Sequence, residues 1–232
     1  MPSGPQAREP IARGAGARQR VLRAALEVLD EHGLAGFTME AVARRAGASK
    51  ATLYRHWPTS GALMIDAMDA TFRPFPVPDT GRVETDVAQL LNAFVTMLER
   101  TPFPRLLAAF MDAAERDPTL ATLHADLTQR RRKPLLVALA RARERGQLPD
   151  HLDPELTTDL LTSPLFYRRF VAHRPIPPDL VGDLIAQVLG IPADRARAAA
   201  RTSGHFSPVE GPARPIAFPP IDPDRPPPPP RR

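Results

Sequence analysis

Residues 38–57 read TMEAVARRAGASKATLYRHW, and the reading of the whole chain starts from them. Thr38 is a natural helix N-cap. Behind it, Val42 and Ala46 fall on one side of a helix and Arg44 and Arg45 on the other. Gly47 permits the left-handed backbone of a tight turn. A second short helix comes next, from which Leu53 alone points back to a core. Ala48 and Ala51 are small enough for the two helices to approach closely. What remains is Ser49, Lys50, Thr52, Tyr54, Arg55 and His56, a set of donors and cations suited to base edges and phosphates. Helix, turn and helix with that chemistry imply contact with a major groove of duplex DNA. Trp57 reads as a core anchor. Tyr54 combines an apolar body with a hydroxyl that can reach a phosphate. Thr38 is either a cap alone or a cap whose helix N-terminus also meets a phosphate.

Outward from this unit the pattern stays helical. A first helix is expected over Ala17–His32, with Leu22, Ala25, Leu26 and Leu29 as its apolar stripe and Gly33 as its stop. Ser60 starts a fourth, with Leu63, Met64, Ala67 and Met68 facing inward. In FRPFPVPDTGR (72–82) proline recurs every second residue, which excludes helix and marks a linker. Further stripes lie at Val87, Leu90, Leu91, Phe94 and Leu98, and at Leu106, Leu107, Phe110 and Met111. Asp117-Pro118 and Asp153-Pro154 each pair an N-cap with proline at the first helical position. The first opens a long helix through Pro134 to Gly146; the second opens one with a kink expected at Pro164. Pro178-Asp179 opens a last one, ending at Gly190. Period-2 alternation is sustained nowhere, so the fold class is all-α. The expected organisation is a disordered basic arm (1–16), a DNA-binding domain (17–72), a helical ligand-binding and dimerisation domain (83–194) and a Pro-rich disordered tail (195–232). The tail ends FPPIDPDRPPPPPRR, a polyproline-like run.

Composition narrows the function classes. The chain has 232 residues, 43% hydrophobic but only 6% aromatic, so its core is mostly Leu, Ala, Val and Met. Net charge is +5. Residues 1–60 carry nine basic groups against five acids, so most of the excess sits beside the helix-turn-helix. Arg8, Arg13, Arg18 and Arg20 can reach phosphates or a minor groove, or serve only to keep the arm soluble. There is no cysteine, which excludes disulfides, thiolate metal sites and Cys nucleophiles. The six histidines are scattered with no metal-ligand spacing. Gly14-Ala15-Gly16 lacks the preceding strand of a phosphate loop. No metal, cofactor or enzymatic role is therefore expected. No apolar run approaches the ~20 residues of a membrane span, and the N-terminus lacks a signal-peptide core. A cytoplasmic protein is the simplest reading.

The order Gly33, Phe37-Thr38, Val42-Ala43, Ala46-Gly47, Ser49, Thr52-Leu53-Tyr54, His56-Trp57 and Leu63 resembles the TetR family of bacterial transcriptional regulators over about residues 17–68. The segment from Arg141 to Val171 resembles a C-terminal domain common in actinobacterial members. The resemblance implies a homodimer that binds an operator in double-stranded DNA and, as the family default, a repressor released by a small molecule. Lys50, Thr52, Tyr54 and His56 would map to the recognition helix, and Thr38 and Arg45 to flanking backbone contacts, with Ser49 and Arg55 beside them. The stretch departs from the family at Ser60-Gly61, where a phosphate-gripping Lys is common. Phe94, Leu98, Phe110, Met111, Phe166 and Tyr167 are candidate walls of a pocket for an apolar or amphipathic effector. Leu160, Leu161, Leu184, Ile185 and Val188 are candidate dimer contacts. The alternative is a dimeric DNA-binding regulator with no small-molecule effector.

Overall fold

The computed structural model describes residues 10–71, 75–101 and 103–203. Among the described residues there are ten α-helices and no strand, so the all-α expectation holds. They are α1 (Pro10–His32), α2 (Met39–Ala46), α3 (Lys50–His56), α4 (Ser60–Thr71), α5 (Val83–Arg100), α6 (Phe103–Ala114), α7 (Pro118–Glu144), α8 (Pro154–Phe166), α9 (Leu180–Leu189) and α10 (Ala193–Thr202). Two compact units emerge. The first holds α1–α4 together with α6 from Arg105 and α7 as far as Arg131. The second holds α5, the rest of α7, and α8–α10. Residues 105–131, beyond the linker expected at 72–82, thus cluster with the helix-turn-helix. Specific contacts show why. Arg105 pairs with Asp30 of α1 at 2.8 Å, and Arg130 pairs with Asp69 of α4 at 2.7 Å. Arg131 donates to the Met68 carbonyl at 3.3 Å. An apolar stripe says that a helix is buried, not which neighbour buries it.

In the first unit, α1 packs on α2 and α4. Leu22, Leu26 and Leu29 are buried with Val42, Leu53, Trp57, Leu63, Met64 and Met68. α1 begins at Pro10, not Ala17, so the expected arm is helical over 10–16. Proline fits the first position of a helix because its missing N–H would have no partner there. Residues 1–9 lie outside the described residues. α4 is capped by Thr59, whose hydroxyl accepts from the Ala62 N–H at 3.1 Å. Its Gly61 lies where a Cβ would come within 2.7 Å of Leu120 Cδ2. Beyond the missing Lys, Gly61 is therefore a point of close α4–α7 packing.

In the second unit, the expected tail is helical at its start. α10 spans Ala193–Thr202, with Ala196 and Ala199 buried. Its backbone meets α9 at Gly182, where a Cβ would lie 2.7 Å from Arg197 Cα. The sequence ADRARAAART has no large apolar side chain, so a search for hydrophobic stripes passes over it. The polyproline segment lies outside the described residues. Near the linker, Asp86 accepts from the Thr80 N–H at 2.8 Å and the Thr80 hydroxyl at 2.7 Å. Arg141 donates to the same carboxylate at 3.3 Å.

Pro164 sits inside α8 as expected, but the helix then runs on into a π-helical turn over Tyr167–Val171. The Ala172 N–H bonds back to the Tyr167 carbonyl at 2.8 Å. His173 then takes a left-handed φ of 49°.

Glu84 of α5 is fully buried, with Arg82 and Arg195 pairing to it at 2.6 Å each. Burial alone would raise its pKa, but the guanidiniums of Arg195 and Arg82 outweigh it and hold the carboxyl below its ordinary value. A depressed folded-state pKa contributes stability above the unfolded value of about 4.3, and that contribution is lost as pH falls through the folded value. Denaturant unfolding of the full chain at successive pH values from 6 to 3 should therefore show stability dropping below about pH 4.3. Arg195→Gln should flatten that drop. An unchanged profile would mean that Arg195 does not hold the carboxylate ionised.

Candidate nucleic-acid interface

The recognition element is built from two caps and a turn. The Thr38 hydroxyl accepts from the Ala41 N–H at 3.1 Å and closes the start of α2. Gly47 sits at φ 61°, ψ 39°, and the Ala48 N–H returns to the Ala43 carbonyl at 3.0 Å. This left-handed C-cap ends α2 and aims the chain into α3. Ser49 caps α3, accepting from the Thr52 N–H at 3.1 Å, and its hydroxyl lies 2.9 Å from that of Thr52. Leu53 is fully buried and seats α3 on the core. Lys50, Tyr54, Arg55 and His56 are exposed, and Thr52 half-buried. Tyr54 is 51% exposed, high for an aromatic ring on a helix packed to a core.

The residues expected to meet DNA thus divide by role. Tyr54, Arg55 and His56 present exposed polar tips on one short helix. Ser49 and Thr38 are caps. Lys50 pairs with Glu40 across the turn. Arg45 is a clamp between α2 and α1: it donates to Glu31 at 2.9 Å and to Glu27 at 3.3 Å. These pairings raise its pKa, with the Glu31 hydrogen bond foremost. In this arrangement its guanidinium is committed to the α1 carboxylates instead of standing open to a phosphate. Arg18 is likewise no loose arm residue. It pairs with Asp66 at 2.6 Å and lies 5.8 Å above the Trp57 ring. The Trp57 indole N–H donates to the same carboxylate at 2.7 Å. Asp66 is not legible in the sequence as a site residue, yet it ties the end of α3 to α4 and α1. The trace in the sequence is that Asp66 is one of two acids, with Asp69, on the mostly apolar α4.

The residues expected to line one pocket are divided between the two units. In the second unit, Phe94 and Phe166 rings pack at 5.2 Å, Phe170 stacks on Phe166 at 5.6 Å, and Leu98 is buried. Phe110 belongs to the first unit, fully buried and edge-on to His124 at 5.3 Å. Met111 is there too, 44% exposed. Tyr167 points outward, lining a surface cleft of about 680 Å³ with Ser163, Pro164, Arg168, Ala172 and Arg174. Of the six, only Leu98 and Phe110 are fully buried, and they belong to different units.

The expected dimer contacts differ in exposure. Leu161 and Ile185 are fully buried in the single chain. Leu160 is 50% exposed, and Leu184 and Val188 are half-buried. Leu156, Tyr167 and Val171 continue the exposed apolar face of Leu160. Among the described residues no group of three or more His, Cys, Asp or Glu is placed to hold a metal ion. Nor is any helix among them long and apolar enough to cross a membrane.

Comparison with known proteins agrees with this geometry. Residues 21–67 match the family model for bacterial regulatory proteins of the tetR family, and residues 77–188 match the tetracyclin repressor-like C-terminal domain. The HTH-type transcriptional regulator YdeS of Bacillus subtilis (strain 168) is 31% identical over 177 residues, which are 75% of this chain and 88% of YdeS. The DNA-binding transcriptional repressor TetR of Mycobacteroides abscessus is 32% identical over 182 residues, 77% of this chain and 95% of that protein. The crystal structure of the TetR family transcription regulator SCO0332 superposes with a TM-score of 0.62 at 36% identity, covering 75% of this chain and 97% of that one. These relatives are transcription regulators, not enzymes. With the capped helix-turn-helix in the matched N-terminal segment and the helical body in the second, the chain belongs to the TetR family of DNA-binding transcriptional regulators.

Proposed function

We propose that the chain is a cytoplasmic repressor that binds its operator as a homodimer through α3 and leaves it when an apolar or amphipathic small molecule binds the second unit. The observation that carries the DNA-binding half is the exposure of Tyr54, Arg55 and His56 on a helix whose one large apolar residue, Leu53, is fully buried. Such a helix has its base-reading side open and its seating side fixed. Support for repression comes from the relative in Mycobacteroides abscessus, which is named a repressor. The exposed apolar face of Leu156, Leu160, Tyr167 and Val171 supports the homodimer. Phe94, Leu98 and Phe166 are the part of the expected pocket wall that lies together in one unit.

The test is a titration of the full chain against the fragment upstream of its own gene, with a scrambled duplex as competitor, at two salt concentrations. Competitor-resistant binding is expected. Arg55→Gln should weaken binding to both duplexes and reduce the slope of log affinity against log salt by about 0.9 per subunit. Tyr54→Ala should weaken operator binding by about two- to tenfold, the range for one lost hydrogen bond, without changing the melting temperature. No preference for any genomic fragment over the scrambled duplex would overturn the reading.

One observation favours a second reading, a dimeric regulator without an effector. Phe94, Phe166 and Phe170 pack ring against ring, so an apolar ligand among them would have to displace these contacts. A small-molecule library screened for release of the bound operator separates the two: release supports the effector, and its absence across chemical classes supports the second reading.

A further inference from the structure

Lys50 is the first residue of α3, and in the structure it does not stand free. It forms an ion pair with Glu40, in the first turn of α2, across the Gly47 turn. Both side chains are 54% exposed, so the pair lies on the surface beside the groove-reading helix and not beneath it. The Lys50 hydrogen bond is the leading cause holding the Glu40 carboxyl below its ordinary range. The other acids near this end of the molecule, Glu27 and Glu31, are engaged by Arg45 on the α1 side. α3 itself carries no acid. Among the described residues, the ion pair reaching α3 is this one.

We propose that Glu40 competes with DNA phosphate for Lys50, so that affinity for duplex of arbitrary sequence is set below the level the chain's cations alone would give. This rests on the DNA-binding reading above and assigns a residue outside the groove contacts to control of it. A carboxylate and a phosphate oxygen present the same chemistry to an ammonium group. Docking on DNA exchanges one anionic partner for another, and Lys50 then contributes little net binding. Non-specific binding is made almost wholly of phosphate contacts, so it loses a larger share of its affinity to this exchange than operator binding does. Operator binding also draws on base-edge contacts from α3.

The experiment measures binding of the full chain to a scrambled duplex over a salt series, for wild type, Glu40→Gln, Lys50→Gln and the double variant. Glu40→Gln is expected to bind about two- to fivefold tighter, the range of a surface ion pair. Its salt slope should steepen by up to about 0.9, the contribution of one freed cation. Lys50→Gln should erase the effect, leaving the double variant indistinguishable from Lys50→Gln alone. Glu40→Asp keeps the favourable charge at the α2 N-terminus with a shorter reach. It should tighten binding as Gln does, which guards against a loss of fold in Glu40→Gln. Tightening that persists in the Lys50→Gln background would overturn the proposal, because Glu40 would then repel phosphate directly. So would unchanged affinity in both Glu40 variants. Those outcomes leave wild-type DNA binding intact. Failure of wild type to bind any duplex would instead overturn the functional reading and this inference with it.

Discussion

Leu160→Glu is expected to give a folded chain that no longer pairs with itself and no longer grips its operator. Leu160 is 50% exposed in the single chain, so a carboxylate there meets water and leaves the fold intact. Leu156, Tyr167 and Val171 are 57%, 60% and 65% exposed and share the Leu160 side of α8 and the π-helical extension by their spacing of 4, 7 and 4 residues. A row of four large apolar side chains in water marks a surface that another protein covers. A charge buried unpaired in such an interface costs about 2–5 kcal/mol, enough to dissociate a dimer at working concentrations. Losing the second recognition helix removes the gain from binding two half-sites at once, a factor of roughly 10²–10⁴. Light scattering should give the monomer mass, thermal unfolding a near-native midpoint, and the operator titration at least about a hundredfold loss. A variant that keeps its mass and its DNA affinity would show that this face does not carry the dimer.

Gly182→Ala should be the most damaging single-methyl change in the second unit. The added Cβ would stand 2.7 Å from the Arg197 Cα and 3.1 Å from its backbone nitrogen, so α9 and α10 must move apart as backbones. Ala would gain up to about 1 kcal/mol of helix propensity over Gly. Overpacking against backbone costs about 1–3 kcal/mol or more, and the separation also strips cover from Val181, Ile185, Ala196 and Ala199, all buried now. Gly61→Ala is the internal control. Its Cβ would come as close, 2.7 Å, but to the terminal Cδ2 of Leu120, which can turn aside. Denaturant unfolding should show Gly182→Ala less stable than wild type by about 1–3 kcal/mol and Gly61→Ala near neutral. Equal effects in the two variants would contradict the distinction between a backbone and a side-chain obstacle.

Most helix starts are legible in the sequence because they rest on short-range chemistry. Thr38, Ser49 and Asp153 cap the helices that come after them, each accepting backbone N–H bonds from residues two or three positions on. The Gly47 turn and the inward Leu53 are legible for the same reason, and so is the exposed set on α3. α10 escapes a sequence reading because it packs with alanines against a glycine, and small residues leave no hydrophobic signal. The start of α1 is hidden because glycines and arginines in 10–16 read as a flexible arm, although Pro10 supplies a helix start.

Pattern and propensity along the chain were sufficient for the fold class, the helix-turn-helix and the exposed side of its second helix, since each depends on neighbours a few positions apart. Pairings across tens of residues were not within their reach. That Lys50 is held by Glu40, Arg45 by Glu27 and Glu31, and Asp66 by both Arg18 and Trp57 depends on where the helices cross. The same holds for Phe110 packing on His124 while Phe94 packs on Phe166. A periodic stripe records that a side chain leaves water. The free energy of that transfer is nearly indifferent to which apolar surface receives it, so the choice of neighbour is made by shape and close approach once the helices assemble.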